Sequence, residues 1–226
     1  PGRFSHIIHA AASPSVTLNH EQPLVMVETI VDGTRRTLEF ARQCGARQVL
    51  LISSGAVYGP PPPEVTHIQE EFLNAPDPTT PRSAYAEGKR LAELLGVLYA
   101  TTDGLEVKIA RCFAFVGPYQ SLDSQFAIGN FIRDGFAGGP IRVRGDGTPH
   151  RSYLYAADLA IWLWHIFLRG RSGRAYNVGS EEGLSIAEVA GVVADAFDPR
   201  PAIHIAKTPP SHLPERYVPL TQRARS

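Results

Sequence analysis

Three short, mostly apolar runs constrain how this chain can fold: residues 4–12, 48–53 and 106–112. Runs with so little polar alternation suit strands buried on both faces. Between them lie two long stretches of helical period. In the first, about residues 23–44, Val27, Ile30, Val31, Thr34, Leu38 and Ala41 fall on one side, and Gly45 is placed to end it. The second, about 84–100, carries Leu91, Leu94, Leu95 and Leu98. Strand, helix, strand, helix, strand gives βαβ units, a parallel sheet and right-handed crossovers. Downstream, the pattern predicts a helix near 126–136 and short strands at 141–143 and 152–155. A helix opening at Asp158, a strand at 175–178 and a Ser185-capped helix over 186–197 follow. The Pro-rich stretch from Pro199 ends in Arg-Ala-Arg-Ser, and no closing element is predicted there.

The totals exclude several classes. With 226 residues, 43% hydrophobic and 19% charged, the chain can bury a core. Lys+Arg and Asp+Glu are both 22, which gives nucleic acid no electrostatic foothold. No apolar run approaches the ~20 residues that span a bilayer. No signal peptide is visible, so a cytoplasmic protein is expected. Cys44 and Cys112 fall in predicted helix and strand and read as buried thiols. His67, Glu70 and Glu71 lie in a proline-rich loop without metal-ligand spacing, and no metal is assigned.

Chemistry-bearing residues gather where these strands end. The first run ends in Ala10, Ala11 and Ala12, small residues that fit either a tight turn or the close approach of a ligand. The second ends in Ser53 and Ser54, where a serine also serves as an ordinary turn former. Tyr85 and Lys89 stand four apart, on one face of the predicted helix. A neighbouring cation favours the phenolate and brings a tyrosine toward acid–base use. Alone, the pair reads first as a solvated helix face.

Taken in order, the motifs resemble the extended short-chain dehydrogenases/reductases, specifically the NAD-dependent nucleotide-sugar epimerases and dehydratases. His9-Ala10-Ala11-Ala12, Ser53-Ser54-Gly55-Ala56-Val57-Tyr58-Gly59, Tyr85 with Lys89, and residues 111–118 match its landmarks. So do Gly145-Asp146-Gly147 with Arg151, Ala157-Asp158-Leu159-Ala160 and Tyr176-Asn177-Val178-Gly179. The resemblance implies an α/β fold: a partial Rossmann-type doubly wound parallel sheet over residues 1–118, one strand returning near 175–179. A small C-terminal α/β substrate-binding lobe would occupy most of 119–226.

By the same resemblance, Ser54, Tyr85 and Lys89 are catalytic. Ala10, Ala11, Ala12, Ser53, Phe113, Tyr85 and Lys89 hold NAD or NADP. Asn130 and Arg151 meet the diphosphate of a nucleotide sugar, for which an arginine fork is suited. The helices about 23–44 and 84–100 form a homodimer. The glycine-rich turn that opens the family's cofactor domain is not in the sequence, so an internal fragment of a longer enzyme is expected. After Ser54 the family's 4,6-dehydratases carry Asp-Glu and its glucuronate decarboxylases a glutamate; this chain has Gly55-Ala56. That favours 4-epimerisation or 4-keto reduction over a dehydratase-like elimination. A non-catalytic protein that binds partners through its dimer helices is the alternative from another class. Ala114 and Ser152 also depart from the family pattern, and both positions bear on which sugar is bound.

Overall fold

A computed structural model describes residues 2–11, 15–123 and 126–226. Strands β1 (His6–His9), β2 (Gln48–Ser54), β3 (Glu106–Cys112) and β8 (Arg174–Val178) form one sheet in the order β1-β2-β3-β8. Every pairing in it is parallel. The sheet is covered on both sides, and the alternation along its strands shows how. Val49, Leu51, Val107 and Ile109 pack against Leu38 and Ala41 of helix α2 (Pro23–Cys44) and Leu95 of helix α3 (Ala84–Thr102). Leu50, Ala110, Cys112 and Val178 turn the other way, onto Ile166 and Phe167 of helix α5 (Ala156–Arg169). Successive side chains point to opposite faces of a strand, so the apolar runs of β2 and β3 are dry on both faces. The first run, expected to be buried likewise, forms the edge strand β1, in which no residue is buried and Ile8 is exposed.

The expected doubly wound α/β fold is therefore present. Helix α2 begins with Pro23 in its first turn and ends where Gly45 turns left-handed at φ 75°. That is a conformation only glycine adopts without penalty. Helix α1 (Val16–Glu21), which its short pattern does not announce, is capped by Ser15.

The second body is built on α4 (Ala127–Phe136), β5 (Ile141–Val143), α6 (Ile186–Ala194) and β10 (Ile203–Ile205), with Phe131, Ile141, Val143, Val189 and Val193 at its centre. Ser185 caps α6 as expected, and Glu188 completes a reciprocal capping box there. Short strands β4 (Ala114–Val116), β6 (His150–Arg151), β7 (Tyr153–Tyr155) and β9 (Leu184–Ser185) link the two bodies.

The expectation of no closing element fails. After β10, strand β11 (Arg216–Tyr217) pairs with β6, and helix α7 (Gln222–Arg225) docks against β8. Short strands of two or three residues have no period to read, and their pairing is decided by distant partners. Among the described residues no helix is long and apolar enough to cross a membrane.

Leu38 is fully buried between α2 and the sheet. Leu38→Ala is expected to lower unfolding free energy by about 2–5 kcal/mol. Urea denaturation measures it, and a loss below about 1 kcal/mol would contradict this packing.

Candidate active site

The C-terminal ends of β1, β2 and β3 open on a cavity of about 860 Å³, whose other wall comes from β4, β6, β7 and the start of α4. Ser54 closes β2 in extended conformation, and its hydroxyl oxygen accepts from the Ala56 amide at 3.2 Å, starting a short 3-10 turn over Gly55–Tyr58. Tyr85 stands in the first turn of α3. That turn is held by α1: the Tyr85 amide donates to Asn19 Oδ1 at 2.9 Å, and Asn19 Nδ2 donates to the Arg82 carbonyl at 2.9 Å. One turn on, the buried Lys89 ammonium donates to the Ile52 carbonyl at 2.7 Å. Ser54, Tyr85 and Lys89 all line the same cavity.

The electrostatics differ from the expectation of a depressed tyrosine. Burial pushes the Tyr85 phenol above its ordinary value, and the Ser54 hydroxyl, its hydrogen-bond partner, offsets part of that. Lys89 is itself lowered, first by burial. Its ammonium is turned toward the Ile52 carbonyl, and it is not among the groups that shift Tyr85. Burial also pushes the Cys112 thiol, on the same wall, up to about 12, so it is neutral.

Of the other predicted residues, Ala10, Ser53, Phe113 and Arg151 line the cavity. Ala11 is exposed beside it, and Ala12 lies outside the described residues. Asn130 is not on the cavity wall; its side-chain oxygen accepts from Arg133 at 3.1 Å. His9 turns toward α2, with Nε2 3.1 Å from Thr34 Oγ1. His67, Glu70 and Glu71 diverge: His67 bonds the Glu181 carbonyl, Glu70 accepts from the Asn177 amide, and Glu71 pairs with Arg223.

The residue that the sequence did not flag is Tyr217. Strand β11 sets it opposite Arg151, stacks its ring on Phe113 with centroids 4.6 Å apart, and brings its hydroxyl beside Gly55. Arg151 sits over that ring, 5.8 Å from its centroid, and pairs with Glu215 at 2.9 Å. The only local signal was an Arg-Tyr pair in a segment without periodicity.

The donor set fits the nicotinamide–ribose half of a dinucleotide. An ammonium has three donors, and the described residues engage one of those of Lys89, at the floor of a cavity large enough for such a group.

Residues 2–179 match the model of the NAD dependent epimerase/dehydratase family. The chain is 31% identical over 217 residues to UDP-glucuronic acid decarboxylase 5 of Arabidopsis thaliana, covering 96% of this chain and 62% of that protein. It is 35% identical over 198 residues to UDP-glucuronic acid decarboxylase 1 of the same plant, covering 87% and 44%. It thus spans less than two thirds of the length of these curated relatives. Among solved structures, RMD from Pseudomonas aeruginosa complexed with NADPH superposes with TM-score 0.86 at 26% identity, over 100% of this chain and 74% of that one. The UDP-glucose 4-epimerase of Thermus thermophilus in complex with NAD gives 0.82 at 28%, over 98% and 70%.

Beneath the cavity, Glu93 takes Arg111 Nε and Nη2 at 3.0 and 2.7 Å and the Ser53 hydroxyl at 2.5 Å. Glu93→Ala strands a guanidinium that is largely buried. A loss of about 3–5 kcal/mol in chemical denaturation is expected, and a loss under about 1 kcal/mol would show that the pair is not structural.

Proposed function

The chain belongs to the NAD dependent epimerase/dehydratase family, and from that premise we propose that it epimerises or reduces a nucleotide sugar at a hydroxyl- or keto-bearing ring carbon, with NAD or NADP. The observation that carries this reading is the set Ser54, Tyr85 and Lys89 on one cavity wall, with no carboxylate at positions 55 and 56. Tyr85 takes or returns the proton of the sugar hydroxyl. Ser54 hydrogen-bonds the same oxygen and orients it. Lys89 holds ribose hydroxyls with the donors that Ile52 leaves over. Ala10, Ser53 and Phe113 shape the ring's seat. When bound, the nicotinamide supplies the hydride acceptor or donor. Arg151, held between Glu215 and Tyr217, offers its fork to the substrate's phosphates.

The curated relatives named above are decarboxylases. The family resemblance ties decarboxylation, like elimination, to carboxylates in the stretch after the catalytic serine. Gly55 and Ala56 carry none, which supports hydride and proton exchange alone.

Tyr85→Phe is expected to reduce turnover of UDP-glucose with either dinucleotide by about 10²–10⁴-fold, while calorimetric affinity for the dinucleotide changes only a few fold. Unchanged turnover would sink the role given to Tyr85. No binding of either dinucleotide would favour the non-catalytic alternative.

We also propose that the chain self-associates through α2 and α3. Leu24 and Val25 on α2 and Leu91, Leu94 and Leu98 on α3 are exposed, an apolar surface without a partner in the single chain. Leu91→Glu with Leu94→Glu is expected to halve the mass found by light scattering, and an unchanged mass would exclude this face.

A further inference from the structure

The turn after β4 carries a backbone outlier. Tyr119 has φ 66°, and every other described residue with positive φ is a glycine. The Gln120 amide donates to the Gly117 carbonyl at 3.4 Å, with Pro118 and Tyr119 between them. Proline second and positive φ third is the pattern of a type II turn, whose third position favours glycine or asparagine. A tyrosine held there has its Cβ crowded against its own backbone.

Packing explains why the turn is where it is, but not why its third residue is a tyrosine. Gly117 lies so close to the start of α5 that a Cβ there would stand 2.5 Å from the Ala156 Cβ. The Tyr119 ring gains nothing from burial, because the residue is fully exposed. It nevertheless lines the cavity that holds Ser54, Tyr85 and Lys89, together with Pro118 and Gln120. A residue that borders a cavity and is fully exposed stands at its rim. Strain kept where packing does not demand it is characteristic of ligand-binding positions.

What the rim meets follows from the order of groups along the cavity. In the reading given above, the reacting sugar lies deep, at Ser54 and Tyr85, and the phosphates meet Arg151. The part of a nucleotide sugar left for the rim is its base. Every base offers a flat π face, which aromatic side chains take by stacking. Its edge carries donors and acceptors. The Gln120 carboxamide, on the same wall and with no hydrogen-bond partner among the described residues, offers both.

We propose that Tyr119 binds the base of the nucleotide: the left-handed turn holds its ring out at the cavity rim, where it stacks on the base, with Gln120 at the base's edge. This deepens the nucleotide-sugar reading and rests on it. The strain in the turn is then the cost of presenting an aromatic face from a position that backbone geometry would give to glycine.

The test is calorimetric titration of the whole chain with UDP and with GDP, one base of each ring size, and it needs no turnover. Tyr119→Ala is expected to weaken whichever nucleotide binds by about 5–100-fold, the range that base–aromatic stacking spans. Tyr119→Leu keeps bulk without a π face and is expected to lose as much. Tyr119→Phe keeps the face and is expected to bind as the unchanged chain does. Tyr119→Gly, which suits the turn, is expected to unfold about 2–4 °C above Tyr119→Ala and yet to lose the nucleotide equally. A loss that came from a damaged turn would instead be smaller in the glycine variant. Unchanged affinity in Tyr119→Ala, full affinity in Tyr119→Leu or in Tyr119→Gly, or no binding of either nucleotide overturns the proposal. If affinity follows the ring while UDP-glucose with either dinucleotide gives no turnover, the role of Tyr119 stands and the proposed activity is what fails.

Discussion

One buried ion pair, Arg111 with Glu93, holds the cavity floor together. The guanidinium and carboxylate meet fork to fork, at 3.0 Å and 2.7 Å. Burial alone would weaken the arginine's charge, but its bonds to Glu93 outweigh that and hold it firmly protonated. A desolvated pair is tolerated only when its remaining donors and acceptors are satisfied, and here they are. Ser53 donates to Glu93 at 2.5 Å, and Arg111 Nη1 donates to Tyr58 at 2.9 Å. Tyr58 donates to Asn177 at 2.8 Å, and the Asn177 amide donates to the Ile68 and Leu220 carbonyls. One connected network therefore ties helix α3 to the ends of β2, β3 and β8, to the proline-rich loop and to the tail.

The placement of the reacting groups follows from that network. Ser53 is fixed by Glu93, so the next residue, Ser54, has little freedom in direction. Leu220 is held by Asn177, three residues after Tyr217, which β11 sets on the cavity wall. The polar network thus positions the chain on either side of Ser54 and Tyr217, though it touches neither side chain. An apolar core could hold the sheet just as firmly. It could not fix the tail to within a hydrogen bond of the strand end, because apolar contacts carry no direction.

The parts legible in the sequence were those with local signals. Helix α2 runs over the residues its period and Gly45 mark, and β3 occupies the predicted run. The Ser185 cap was likewise visible, because a cap is a local interaction. Ser54, Tyr85 and Lys89 could be singled out because motif spacing fixes their place on a strand end and a helix face. Tyr217 and α7 could not, since their elements are two and four residues long and exist only through long-range pairing. Asn130 was placed by motif position alone. Its side-chain oxygen accepts from Arg133, one turn along the same helix, a contact that motif spacing does not announce.

The electrostatic result bears on which way the site is poised. A cation at i+4 was expected to make Tyr85 a ready base. Burial works against any phenolate, and Lys89 spends one donor on the Ile52 carbonyl. With the phenol raised, the folded chain keeps Tyr85 neutral at neutral pH, a group that gives a proton rather than one that takes it. A neutral phenol beside a serine donor suits the protonation of an oxygen that gains charge, as a keto oxygen does when it is reduced. For Tyr85 to act in the other direction, as a base on a hydroxyl, positive charge or further donors must gather around it when the cavity fills. Ser54, on the same cavity wall, is one hydroxyl within the chain itself that can serve in that way.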